Sequence, residues 1–150
     1  MNPTYPERIC RARERLGLTH EEVAQAMNID TTWYWDIESV DTEIISTLDL
    51  RQICKLSEIL GLTVWQLVAP DPDVLSPAPL NLGEFIQRVS LFNNNRGLTA
   101  EAFSDLSGWN VKDTLSEPRN VFQWNLDQLR DISTAIGIDW LCLLSGGLEF

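Results

Sequence analysis

The sequence has little positive charge. Its 150 residues include 11 Lys and Arg against 22 Asp and Glu, together with a single histidine, so the formal net charge is −11. Each contact with a DNA phosphate calls for a Lys or an Arg. The charge balance therefore argues against tight non-specific binding to nucleic acid.

Long apolar runs and paired cysteines are also missing, and we expect no secretory leader. No run approaches the roughly 20 apolar residues that span a bilayer, and residues 1–8 contain no apolar leader segment. Cys10, Cys54 and Cys142 are odd in number and far apart, and they match no zinc or CxxC spacing. We therefore expect a cytoplasmic protein with reduced cysteines in its core and with neither a metal site nor a cofactor.

The shortage of histidine also argues against catalysis. His20 lies at a predicted helix start, and no Ser or Cys is placed by sequence to form a nucleophile pair with it. The Gly146-Gly147 pair resembles a helix stop rather than a phosphate-binding loop. We expect a protein that is not an enzyme.

Apolar residues recur at helical spacing along most of the chain, and no segment shows the alternation of a strand. Thr19 and Glu22 have the spacing of a capping box, and Asp30 is a candidate N-cap for a third helix that ends near Ser39. The pattern predicts five short helices in each half of an all-α fold. They begin near Tyr5, Thr19, Asp30, Leu48 and Thr63 in the first half and near Leu82, Thr99, Asn110, Leu126 and Asp139 in the second.

The two halves repeat. Gly17-Leu18-Thr19 recurs as Gly97-Leu98-Thr99 at an offset of 80, and Leu60-Gly61-Leu62 recurs as Ile136-Gly137-Ile138 at an offset of 76. Between them, the Pro70-Asp71-Pro72-Asp73 run cannot continue a helix. The sequence predicts a domain at 1–69, a Pro-rich linker at 70–81 and a second domain at 82–150.

One run of the first half resembles the helix-turn-helix of the phage-repressor (Xre/Cro) family. Residues 17–30, GLTHEEVAQAMNID, are similar to the family pattern G-L-T-Q-E-E-L-A-x-x-x-G-I-S, and Ile37-Glu38 resembles the Ile-Glu pair that ends its recognition helix. The resemblance implies two tandem five-helix, lambda-repressor-like domains. It is weaker in the second half, where no Ile-Glu pair follows Gly97-Leu98-Thr99. It also implies an ion pair between Glu38 and Arg13.

The resemblance further implies a set of DNA contacts. The base-reading positions of the family fall on Thr31, Thr32 and Asp36, and its phosphate-binding Gln falls on His20. Such a regulator would read bases with its threonines and hold the DNA backbone with arginines of the first helix. The candidate contacts are His20, Thr31, Thr32, Arg8, Arg11 and, in the second half, Lys112.

The charge near the recognition helix favours a different function. Residues 17–49 contain no Lys or Arg but eight carboxylates. Trp33 and Trp35 cannot both face the core, because neighbouring helix positions differ by about 100°. An exposed Trp beside acids is typical of a protein interface. We therefore expect Asp30, Trp33, Trp35 and Asp36 to bind a basic protein, as an immunity protein, an antitoxin or a DNA mimic would.

Three alternatives stay open. The same surface can belong to a sequence-specific transcription regulator of the Xre/Cro type, in which the partner is DNA. The two Trp side chains can instead pack against the other half or against a second copy of the chain. A homodimer is compatible with the resemblance, since proteins of this type pair to read two half-sites.

Overall fold

A computed structural model describes residues 2–150. Within that range the chain forms eleven α-helices and one 3₁₀ helix without any strand, which confirms the predicted all-α fold class. None of the helices in the described part is long and apolar enough to cross a membrane.

The first half contains six helices. Four of them open with a complete capping box, at Thr4, Thr19, Asp49 and Thr63. The predicted box at Thr19 is thereby confirmed. The helices are α1 (Tyr5–Arg15), α2 (His20–Met27), α3 (Thr31–Ile37), α4 (Glu43–Ser46), α5 (Leu50–Leu60) and α6 (Val64–Val68).

The second half contains five α-helices and the 3₁₀ helix. Asn81, Thr99 and Asn125 cap α7, α8 and α10 through their side chains. The elements are α7 (Leu82–Arg96), α8 (Ala100–Ser107), α9 (Lys112–Ser116), the 3₁₀ helix (Pro118–Gln123), α10 (Leu126–Ala135) and α11 (Leu141–Ser145).

Two short elements are absent from the predicted pattern. Helix α4 is a single turn without a side-chain cap, and the fully buried Ile44 holds it in place. The 3₁₀ helix begins at Pro118 and is anchored by the fully buried Val121. Tertiary packing stabilises both, and local spacing does not reveal such turns.

The two halves share one hydrophobic core. Helix α6 packs against α11, α5 packs against the 3₁₀ helix and α10 packs against α4. The amide of Leu50 also donates to the Trp124 carbonyl at 2.8 Å, across the two halves. The Trp124 side chain is itself buried in this core, with 4% of its surface exposed. The division into two domains stays a prediction, and the core runs continuously through both halves.

The segment between α6 and α7 is tied to both halves. Trp65 donates from its indole nitrogen to the Pro72 carbonyl at 3.3 Å, and the Ser145 hydroxyl donates to the Pro77 carbonyl at 2.6 Å. Next to α11, a Cβ on Gly146 would lie 2.5 Å from the Leu80 carbonyl oxygen. The close approach of these two backbone segments therefore requires glycine at 146.

Candidate functional site

Helices α2 and α3 form a compact helix-turn-helix. Helix α2 ends at Asn28, whose backbone is left-handed (φ 56°, ψ 44°). Asn tolerates this conformation better than most non-glycine residues. The Ile29 amide then donates to the Ala24 carbonyl at 3.0 Å, and the Asp30 carboxylate accepts from the Thr32 amide at 2.8 Å. The chain thus turns sharply and starts α3 at once.

Helix α3 has a buried face and an open face. Tyr34 and Ile37 are fully buried against the core. Thr32, Trp35 and Asp36 are exposed and form what we call the outer face of α3. Trp35 retains 49% of its accessible surface. The expectation that at least one of the two tryptophans is exposed is therefore confirmed for Trp35.

Trp33 lies at the edge of this face. It is half-buried against the core, and its indole nitrogen donates to the Thr47 hydroxyl at 3.2 Å. Thr31 is also half-buried, whereas Asp30 is exposed and acts as the N-cap. Of the four predicted partner-binding residues, Trp35 and Asp36 offer free side-chain surface. Trp33 and Asp30 are already engaged in hydrogen bonds within the chain.

His20 stacks on Trp35. Their ring centroids are 3.8 Å apart with an interplanar angle of 12°. The His20 Nε2 atom lies 3.5 Å from a Glu38 carboxylate oxygen. This arrangement fixes Trp35 on the surface and joins the start of α2 to α3. A stack between positions 15 residues apart was not visible in the sequence pattern, because periodicity reports contacts within one helix only.

A buried ion pair supports this unit from beneath. The Arg13 Nε atom donates to Glu38 at 2.7 Å, and Nη2 donates to its other oxygen at 3.2 Å. Arg13 also donates to the Leu18 carbonyl at 2.9 Å. The two side chains are only 9% and 4% exposed. The pair therefore links the last turn of α1 to the end of α3.

Protonation follows from this geometry. Burial by itself raises the pKa of Glu38, but the Arg13 hydrogen bonds and charge outweigh burial and leave the pKa lower than usual. The Glu38 hydrogen bond in turn raises the pKa of Arg13. Burial, and then the neighbouring Glu38, raises the pKa of Tyr34. The Tyr34 hydroxyl has no partner of good hydrogen-bond geometry among residues 2–150, so the Arg13 bonds dominate the stabilisation of this carboxylate.

Arg8 was predicted to contact phosphate from the surface, and this prediction is wrong, because its side chain is buried. It is 8% exposed, and its guanidinium donates to four backbone carbonyls. The acceptors are Pro3, Leu67, Ala69 and Pro70, at 2.6–3.3 Å. Arg8 therefore holds α1 to the end of α6. The sequence pattern of the arginines in α1 does not reveal these acceptors, because most of them lie far away along the chain.

The remaining predicted cations lie elsewhere. Arg11 and Arg15 are exposed, but each is two residues from Arg13, which corresponds to about 200° around the helix. Since Arg13 points toward α3, the other two arginines point away from it. Lys112 is exposed on α9 in the second half. The structure thus brings no exposed Lys or Arg side chain from residues 2–50 to the outer face of α3.

Comparison with known families supports the assignment of this unit. Residues 7–63 match the family model described as a helix-turn-helix domain. No curated protein and no solved structure matches the chain. The matched range covers α1 to the loop after α5, so the capped α2, the sharp turn and α3 are a helix-turn-helix.

Proposed function

We propose that this protein is a sequence-specific DNA-binding transcription regulator of the Xre/Cro type, without catalytic activity. The match of residues 7–63 to a helix-turn-helix domain carries the proposal. In this reading α3 lies in the major groove and Thr32 contacts base edges or phosphate. Trp35 stays stacked on His20 and forms an apolar wall beside the contact.

The charge distribution determines how this protein would bind DNA. Arg8 is buried, Arg13 is paired with Glu38, and Arg11 and Arg15 point away from α3. Few counterions are then released from DNA by the first half. We expect binding that depends on base readout and has a shallow salt dependence, with a slope of log K against log salt smaller in magnitude than about 3.

The direct test is selection from a random 30-base-pair duplex library at low ionic strength, followed by sequencing. A DNA reader enriches one motif over several rounds. Thr32→Ala should weaken binding to the enriched duplex by about fivefold, corresponding to one lost hydrogen bond. The matched control is Thr134→Ala on α10, outside the helix-turn-helix. A pool that stays random would refute the proposal.

The outer face of α3 also favours a second candidate, a protein interaction module for a basic partner. The supporting observation is the 49% exposed Trp35 next to Asp36, in a stretch without any Lys or Arg between residues 17 and 49. An aromatic anchor with an acidic surround is suited to a cationic protein surface. An immunity protein, an antitoxin or a DNA mimic would use such a face.

A pull-down from native lysate with and without nuclease separates the two candidates. A basic protein recovered in stoichiometric amount after nuclease treatment supports the second candidate, provided that Trp35→Ala and Asp36→Lys abolish capture. The control Asp105→Lys makes the same charge change on α8 and should leave capture intact. Capture that survives both α3 substitutions would exclude this face as the binding site.

A further inference from the structure

The internal repeat is preserved in the backbone hydrogen bonds. At an offset of 80, the bond from the Leu18 amide to the Arg13 carbonyl (3.1 Å) corresponds to the bond from Leu98 to Asn93 (2.9 Å). At an offset of 76, the bond from Leu62 to Ser57 (3.0 Å) corresponds to the bond from Ile138 to Ser133 (2.9 Å). Helices α1, α2, α3, α5 and α6 therefore correspond to α7, α8, α9, α10 and α11.

The turn that leads into the reading helix contains a corresponding hydrogen bond in both halves. The Asp30 carboxylate accepts from the amide two residues later at 2.8 Å, and the Asn110 side chain accepts from the Lys112 amide at 3.0 Å. Asp30 and Asn110 are 80 residues apart, but Asp30 is the N-cap of α3, whereas α9 has Val111 as its N-cap and no side-chain cap. Helix α9 is thus the counterpart of α3, although α9 is shorter by two residues.

The packing between the halves is reciprocal. Residues 43–46 of α4 correspond, at an offset of 76, to 119–122 within the 3₁₀ helix. Helix α10 packs against α4, and its counterpart α5 packs against the 3₁₀ helix. Helix α6 packs against α11, which is its own counterpart. In such an interface each contact between two elements is repeated by a contact between their counterparts. This reciprocity is the property of a two-fold axis.

A polar pair of contacts follows the same pattern. The amide of Leu50, at the start of α5, donates to the carbonyl of Trp124, just before α10, at 2.8 Å. The Asn125 side chain, which caps α10, donates to the carbonyl of Ser46, the last residue of α4, at 3.1 Å. The two halves therefore approach each other through equivalent segments, with α6 and α11 at the axis.

A two-fold rotation leaves each point at its own height along the axis. Each of α3 and α9 directly precedes an element that packs across the interface, and under this two-fold relation the two helices are expected at the same height on opposite sides of the axis. Duplex DNA has a two-fold relation of its own, and two reading helices related in this way suit two half-sites about one helical turn apart.

We infer that a single chain is an internal pseudo-dimer that binds one DNA duplex carrying two non-identical half-sites, with α3 on one and α9 on the other. This inference rests on the proposed function and specifies its ligand. The half-sites differ because the helices differ. The exposed side chains include Thr32 and Asp36 on α3 but Lys112 on α9, with Arg119 exposed in the 3₁₀ helix that follows. The cations that hold phosphate thus lie mainly on the second half, and no homodimer is required.

The test measures stoichiometry on the duplex selected from the random library. Light scattering should give a 17.1 kDa monomer for the free protein, and titration should saturate at one chain per duplex. Hydroxyl-radical footprints should show two protected half-sites about 10–11 base pairs apart. Thr32→Ala should weaken protection of one half-site, and Lys112→Ala should weaken protection of the other, each about fivefold. Lys112→Ala should also reduce the salt slope by about 1.

Lys55→Ala is the control, because Lys55 is exposed on α5 outside both helix-turn-helix units and its loss changes the net charge equally. Two chains per duplex, or Lys112→Ala binding like wild type, would overturn the inference and leave the proposed function standing. Absence of any enriched DNA motif would instead refute the proposed function, and this inference with it.

Discussion

The buried pair between Arg13 and Glu38 offers the sharpest test of how the helix-turn-helix is held. Arg13→Met removes the cation but keeps much of the aliphatic stem. It leaves the Glu38 carboxylate, 4% exposed, without its two hydrogen bonds from Arg13. Removing one member of a buried pair costs about 3–5 kcal/mol. His20 lies 3.5 Å from the same carboxylate, so we expect the lower end, about 3 kcal/mol.

The assay is urea unfolding followed by far-ultraviolet circular dichroism. In a thermal scan of the same variants, about 3 kcal/mol corresponds to a fall in Tm of roughly 6–12 °C for a chain of this length. The control Arg11→Met makes the same chemical change at an exposed position of the same helix. It should alter the free energy of unfolding by less than about 0.5 kcal/mol.

The double variant Arg13→Met/Glu38→Leu completes a thermodynamic cycle. With both charges removed, no uncompensated carboxylate remains, and the free energy of unfolding should return to within about 1 kcal/mol of wild type. The reasoning is refuted if Arg13→Met costs less than about 1 kcal/mol, or if the costs of the two single substitutions simply add.

Three further predictions concern the same balance of buried groups. Asn93 is the counterpart of Arg13 in the second half, is 4% exposed, and has an amide without a hydrogen-bond partner within residues 2–150. Asn93→Leu keeps the branched shape and should therefore raise the free energy of unfolding by about 1 kcal/mol. A loss of stability in urea would contradict this. Gly146→Ala forces a Cβ against the Leu80 carbonyl and should lower the free energy of unfolding by about 1–3 kcal/mol. In Gly97→Ala the new Cβ meets no atom, so this variant should show only the penalty of a positive φ. Equal losses in the two variants would count against the close contact at Gly146. The pKa of Glu38 is lowered in the folded state, so its contribution to the free energy of unfolding is complete above the unfolded pKa of about 4.3 and disappears as the pH falls through the folded pKa. The difference in stability between wild type and Glu38→Gln should therefore close in acid. A difference that is constant from pH 7 to pH 3 would refute the assignment.

Local sequence patterns were enough to predict most of the fold. Capping residues such as Thr19 and Asp30, and the apolar spacing after each of them, predict where the long helices begin. The repeated Gly-Leu-Thr and Leu-Gly-Leu segments also predict the correspondence between the halves. The turns at 43–46 and 118–123 were not predictable, because burial of Ile44 and Val121 in a distant core stabilises them.

The candidate site was less predictable. Periodicity predicts that at least one of Trp33 and Trp35 is exposed, but it does not reveal the His20 ring stacked on Trp35. The cluster of arginines in α1 suggests a basic face, yet these side chains point in different directions. The Arg8 guanidinium donates to carbonyls more than 50 residues away, and the Arg13 guanidinium donates to Glu38. Long-range partners of this kind depend on tertiary packing, which a helical pattern does not encode.

The central claim is that the outer face of α3 contacts DNA. The most direct measurement compares the salt dependence of duplex binding, by fluorescence anisotropy, for wild type, Asp36→Lys and Glu58→Lys, the last at an exposed position of α5 outside both helix-turn-helix units. The two variants have equal net charge, so any difference reports position. We predict that Asp36→Lys binds the selected duplex with a salt slope steeper by about 1 or more, whereas Glu58→Lys resembles wild type. Equal slopes in the two variants, or no binding by any of the three proteins, would contradict the account.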